Sequence, residues 1–341
     1  MAVSEDEASE QLQHELESSV SQSVNASSKR PILLHLNADS SWLISLPYPK
    51  NQIPPRGRRR YNIVVDAWLK GFQVDMFSWF SSQEHAEPSR FQDLRQVSEM
   101  LREAETVAMG VGETCNNETC FIDAIICSHE FTDHCHEATL KQLPSTTPIF
   151  APKKAAAVVR SWHHFKHITE VPMYPLQDTL PYLPSWISIG RIHTKHDAPI
   201  YFHSAIVVAF KLNPESSTEE AIVYTPHGVA ADSLLSALEP QSKVNILALL
   251  HGLHDVSLAG AQLNLGMGNA MKILQARKVG YWMPTHDEVK IAHGLVASLL
   301  KRVAHTLQIA PGSHAITRKE HFTVAEHAFV PLANGDSMVL A

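Results

Sequence analysis

Four cysteines in 341 residues are too few for a disulfide-built scaffold, and all four fall between positions 115 and 135. The start, Met1-Ala2-Val3-Ser4-Glu5-Asp6-Glu7, lacks the positive charge and apolar run of a secretory signal. A reducing, cytoplasmic setting is therefore expected. In such a setting a Cys115–Cys120 disulfide loop and glycosylation at Asn117-Glu118-Thr119, both open to a secreted chain, are disfavoured. Basic residues are also scarce: 28 Lys and Arg against 35 Asp and Glu give a formal charge of −7. That balance argues against the broad cationic face that nucleic acid binding by counterion release requires. The one basic run, Arg56-Gly57-Arg58-Arg59-Arg60, follows Pro54-Pro55 and reads as a solvated loop. No window reaches the ~20 apolar residues of a membrane helix. Neither nucleic acid nor a membrane is therefore expected as a partner.

The chain does have apolar content, 44% hydrophobic against 18% charged, enough to bury a sizeable core. Residues 1–30 are rich in Ser, Glu and Gln and are expected to be a disordered tail. One domain is expected over 31–341. It opens with two strands, 32–36 and 41–46, joined by the turn-prone Asn37-Ala38-Asp39-Ser40. Tyr61-Asn62-Ile63-Val64-Val65 reads as a buried strand presenting Asp66 at its tip. Leu94, Val97, Leu101 and Ala104 recur at helical spacing, predicting a helix over 91–105.

A strand over 124–127 leads into His129 and is followed by a helix over 137–142. Beyond it the pattern gives strands near 148–150, 186–193, 205–211, 221–225, 244–250 and 279–283. Helices are expected near 152–165, 231–238 and 267–277. A last long helix is expected to carry Ile291, Leu295, Leu299 and Val303 on one face. This order indicates an α/β sandwich with at least one largely covered sheet.

Twenty-one histidines are many for this length, and several stand where a strand ends, which is where α/β folds gather functional groups. In His129-Glu130-Phe131-Thr132-Asp133-His134, three imidazole or carboxylate donors lie within six residues, between a buried strand and a helix. Zinc and iron both accept such donors, and a polar cluster of this kind is costly to bury unless something neutralises it. The plainer alternative is a set of helix caps bonded to one another. His196, His227 and His286 follow later strands. Each alone would pass for a surface histidine; together with the first cluster they form a multi-histidine site built from dispersed loops.

A strand, then a His-x-Phe-x-Asp-His segment, then single donors at later strand ends resembles the metallo-β-lactamase superfamily over roughly residues 32–305. The resemblance implies a four-layer αβ/βα sandwich. It matches His129 to the first motif histidine, Asp133 to the aspartate and His134 to the last histidine. His196 matches the next ligand, His227 the usual bridging aspartate and His286 the final histidine. Phe131 stands where the second motif histidine belongs, and His227 replaces a carboxylate.

The first metal position is therefore expected to be weak or empty. The second, with Asp133, His134, His286 and a possible fourth donor in His227, is expected to hold one tight ion. Zn2+ is expected, with iron or manganese as alternatives. The implied chemistry is hydrolysis of a lactam, lactone, ester or thioester, with the metal lowering the pKa of its water to ~7. Asp133, His129 and His196 are the candidate catalytic groups, and Asp66 a candidate outer acceptor for a ligand histidine. The rivals are a non-catalytic relative of the same fold and an iron-dependent oxidoreductase.

Among the remaining candidates, His251 and His254 either line the pocket or lie in a solvated loop. His163 and His167, spaced i, i+4, suit a helix C-terminus better than a metal. Cys127 and Cys135 read as buried, inert thiols. Trp42, Trp68, Phe72, Phe77 and Trp79 supply core packing or an apolar substrate wall.

Overall fold

The structure, a computed structural model, describes residues 29–55, 58–74, 77, 79–109, 120–194, 202–239, 243–294, 296–305 and 328–341. The expected tail falls outside these except for Lys29 and Arg30, and so do Cys115, Asn117 and His196.

Two sheets form the centre. In the first, the strands run in the order Ser337–Val339, Ile32–His35, Trp42–Pro47, Arg60–Val65, Ala124–Ile126, Ile149–Ala151 and Ile168–Glu170. Pairing is antiparallel up to Arg60–Val65 and parallel beyond it. In the second, the order is Ala328–Phe329, Val279–Met283, Val244–His251, Glu219–Thr225, Ser204–Phe210 and Ile187–His193.

The side-chain period of two explains why the central stretches of these strands are apolar on successive residues. Leu33, Trp42, Ile44, Ile63 and Ile126 point inward to meet Ile206, Val208, Tyr224, Leu250 and Met283 of the second sheet. Their neighbours Leu34, Leu43, Val64 and Ile125 point outward onto the helix Leu94–Met109 and the helix Lys153–Ser161. On the far side, Val207, Val223 and Leu249 pack under the helices Ala231–Ala237 and Met267–Ala276. The layers are thus helix, sheet, sheet, helix, as the resemblance implied. Burial of each large apolar side chain in such a core contributes about 1.5–3 kcal/mol. No helix among the described residues is long and apolar enough to cross a membrane.

Three expectations fail. The last long helix does not form: Ile291–His293 is a strand paired with Ser82–Glu84, and Leu300–Val303 pairs with Asp255–Leu258. The apolar spacing there finds no core, since Ile291, Leu299 and Val303 are 46%, 48% and 56% exposed. Gly294 breaks the run at φ 88, where a Cβ would fall 2.7 Å from the Phe80 carbonyl oxygen. The helix expected over 152–165 stops at Ser161, which leaves His163, at φ 54, and His167 outside it. Arg58 and Arg60 are not solvated either. Both are buried: Arg58 Nη1 pairs with Asp123 Oδ1 at 2.5 Å, and the Glu105 carboxylate accepts the amides of Arg59 and Arg60.

Candidate metal centre

Both sheets deliver polar groups at one end. Arg60–Val65 runs into Asp66, Ala124–Ile126 into the Ser128 to His134 segment, Glu219–Thr225 into His227, and Val279–Met283 into His286. The turn between the first two strands supplies Asp39, whose carbonyl accepts the His286 amide at 2.8 Å. Asp66 and His286 adopt left-handed backbone at φ 48 and φ 58. Such conformations cost side-chain-bearing residues about 1–3 kcal/mol and concentrate at functional sites. Gly228, at φ 78, turns the chain just after His227; a Cβ there would meet Leu265 Cβ at 2.7 Å.

Three histidines are oriented in one manner. His134 Nδ1–H donates to Asp66 Oδ2 at 2.7 Å, His227 Nδ1–H to Asn264 Oδ1 at 2.8 Å, and His286 Nδ1–H to Asp39 Oδ2 at 3.0 Å. Each bond engages Nδ1 and turns Nε2 inward, as outer acceptors do for metal-ligating imidazoles. Asp66 is itself held by the Ser128 amide and the Tyr224 hydroxyl, at 2.6 and 2.7 Å.

His134 Nε2 and His227 Nε2 lie 3.1 Å apart. Two tetrahedral ligands at zinc–nitrogen bond lengths stand about 3.3 Å apart, so the pair suits a shared ion. Asp133 completes the cluster, with Oδ1 3.7 Å from His134 Nε2 and Oδ2 3.8 Å from His286 Nε2. Two groups therefore have ligand atoms within 4.8 Å of one another: Asp133, His134 and His286, and His129, His134 and His227. All are buried, and this set of nitrogen and carboxylate donors fits a divalent metal.

Electrostatics sorts the members. Burial alone would lower the pKa of His134, yet the Asp133 and Asp66 carboxylates outweigh it and raise the value to about 9. Burial would raise Asp133, but His134, Lys290 and His286 hold it well below the usual carboxylate range. His129 and His227 are pushed well below 6.5, first by burial and then by the neighbouring imidazoles.

His129 differs from the other histidines. Its Nε2 lies 2.9 Å from the Phe202 carbonyl oxygen and its Nδ1 2.8 Å from Ser128 Oγ, so both nitrogens already have protein partners. Phe131 stacks on Phe202 with centroids 4.9 Å apart, and Phe202 lies 5.2 Å from the His227 ring. Where the resemblance places a histidine of the first metal position, the chain has an aromatic wall.

The other candidates divide. His251 is wholly buried, bonded to the Gly252 carbonyl and to Asn269 Nδ2, and is not in a solvated loop. His254 Nδ1 accepts the His305 amide. His167 packs against Tyr182, with ring centroids 4.2 Å apart and the planes tilted by 32°, away from the cluster. Cys127 and Cys135 are buried and free of disulfides, and hydrogen bonding to Cys135 followed by burial pushes the Cys127 thiol up. Trp42 and Trp68 are core, whereas Phe72, Phe77 and Trp79 are 56%, 57% and 69% exposed.

Sequence reasoning missed Asp39, Lys290, Asn264 and Tyr224. Lys290 is buried, with Nζ 2.7 Å from Asp39 Oδ2 and 3.2 Å from Asp133 Oδ2. Asp39, in a turn-prone tetrapeptide, has the ordinary explanation of a turn residue, so only its long-range partners betray it.

No family model and no curated protein matches the sequence. Among solved structures, the chain is similar to the isothiocyanate hydrolase from Delia radicum gut bacteria, with a TM-score of 0.50 and 16% identity over 90% of this chain and 98% of that one. It also aligns with a metallo-β-lactamase fold protein from Bacillus subtilis, at a TM-score of 0.45 and 15% identity over 91% and 99% of the two chains. A possible metal-dependent hydrolase from Veillonella parvula aligns at a TM-score of 0.47 and 12% identity over 75% and 85%. The fold is the metallo-β-lactamase fold. Within it the cluster stands at strand ends, and Phe131 and His227, the two departures from the resembled motif, lie beside His129 and His134.

Proposed function

We propose that the protein is a metal-dependent hydrolase of a small organic substrate. The observation that carries this reading is the convergence of His134, His227 and His286, each with Nδ1 bonded outward, on the buried Asp133. A purely structural ion would not need donors from three separate loops. Asp133, His134, His286 and His227 are the residues that would hold the metal, with His129 adjoining. When bound, the metal supplies Lewis acidity that polarises the substrate's electrophilic carbon and acidifies water.

The chain's own groups do the rest. Asp66 keeps the His134 proton on Nδ1, and Asp39 does the same for His286. His129, Asp133 and the undescribed His196 are the candidates for orienting the attacking water; His129 does so only by giving up its bond to Phe202 or Ser128. Phe131 and Phe202 exclude water on one side and offer an apolar surface to the substrate. Lactams, lactones, esters and thioesters all present a carbon open to attack by water. The isothiocyanate acted on by one structural relative does so too.

A second reading, a non-catalytic relative, draws on one observation: His129 is already satisfied by Phe202 and Ser128. The deciding experiment loads the purified protein with zinc and assays these five substrate classes beside His134→Ala. Turnover of one class, lost in a variant with an unchanged circular dichroism spectrum, supports the hydrolase. Stoichiometric zinc with no turnover on any class supports the non-catalytic reading.

A further inference from the structure

A lysine ammonium borders the group formed by Asp133, His134 and His286. Lys290 Nζ lies between two carboxylates of different loops, Asp39 and Asp133, at 2.7 and 3.2 Å. Its side chain is only 7% exposed, and its ammonium rests 5.3 Å from the centre of the Trp68 ring. The backbone around it is pinned on both sides. Glu288 accepts from His85 and from the amides of Ala86 and Glu87, and Ile291–His293 pairs with Ser82–Glu84. Lys290 is thus a fixed part of the wall.

We propose that Lys290 is a built-in cation that replaces a second metal ion and restricts this centre to one divalent metal. The inference rests on the hydrolase reading only in taking the cluster to bind metal. Paired metals in hydrolytic sites stand about 3.5–4 Å apart and need anionic ligands between them to offset their repulsion. This cluster has moved the opposite way. A neutral imidazole, His227, occupies the position of the usual bridging carboxylate, and Lys290 adds a positive charge that already occupies Asp133 Oδ2. The carboxylates at the centre are Asp39, Asp66 and Asp133. Against one ammonium they leave two negative charges, which one dication neutralises. A second would add two uncompensated charges to a buried site.

The test is zinc stoichiometry, by calorimetric titration of metal-free protein and elemental analysis after desalting. Cobalt(II) absorption reports whether the ions are buried. Wild type is expected to bind one ion per chain. Lys290→Met frees both carboxylates and is expected to bind two, the second more weakly. Asp39→Asn/Lys290→Met removes one carboxylate with the ammonium, spares the fold an unpaired buried charge, and is expected to return to one.

Two ions on wild type, or one ion on both wild type and a folded Lys290→Met, would overturn the proposal. If Lys290→Met does not fold, wild type and the double variant still decide: a double variant holding two ions overturns it. One ion on wild type with no hydrolysis of any substrate leaves this inference standing and removes the hydrolase reading. No ion on wild type removes both.

Discussion

Asp66 Oδ2 receives the Nδ1 proton of His134 at 2.7 Å, and the same oxygen receives the Tyr224 hydroxyl, also at 2.7 Å. One carboxylate on left-handed backbone therefore sets the tautomer of the histidine shared by both potential ligand groups.

Asp66→Ala should reduce metal affinity by about 10–100-fold, the usual cost of losing an outer carboxylate. Tyr224→Phe should cost less, because Ser128 still holds the carboxylate. Competition with a chromophoric zinc chelator measures both; equal affinity in Asp66→Ala and wild type would show that Asp66 does not orient His134.

Gly228→Ala places a side chain at φ 78 against Leu265. Backbone strain alone amounts to about 1–2 kcal/mol, and the clash adds to it. A lower urea midpoint together with weaker metal binding is expected, because the same turn aims His227.

His251 links stability to pH. Burial lowers its pKa from 6.5 to about 4. As pH falls the unfolded chain takes up the proton first, so the contribution is complete above pH 6.5 and is lost as pH falls towards 4. The loss is on the order of 3 kcal/mol. Urea unfolding of metal-free protein at pH 7.5 and 5 should show a smaller drop for His251→Gln than for wild type, and identical drops would exclude this residue as the cause.

Arg58→Met strands the Asp123 carboxylate in a largely buried setting, with side-chain exposures of 5% and 16% for the pair. Breaking such a pair costs about 3–5 kcal/mol. Asp123 lies at the opposite end of the Ala124–Ile126 strand from Ser128, so zinc affinity should be unchanged while the melting temperature falls.

The layers could be read from the sequence because strands covered on both faces are continuously apolar, as in Ile63-Val64-Val65 and Ala124-Ile125-Ile126. The motif segment could be read because a polar cluster after such a strand has few inexpensive explanations. Lys290 could not, since its neighbours Ile291 and Leu299 carry a helical spacing and nothing local reveals that Gly294 breaks it. Arg58 and Arg60 resembled a solvated charge run because what their side chains bond to, Asp123 for Arg58 and Ser45 with the Arg30 carbonyl for Arg60, is distant in sequence. Period and composition report local packing; long-range pairing of charges leaves no such trace.

The pairing of Ile32–His35 with Ser337–Val339 joins residues from opposite ends of the chain, and Arg30 donates to the carbonyl of Leu340 across 310 positions. On a ribosome adding roughly 5–20 residues per second, the first strand waits about 15–60 s for its neighbour to be made. Throughout that interval one edge of a strongly apolar sheet lies open to other nascent chains. Slower synthesis and added chaperone are therefore expected to raise the soluble yield of this protein without changing the stability of the finished fold.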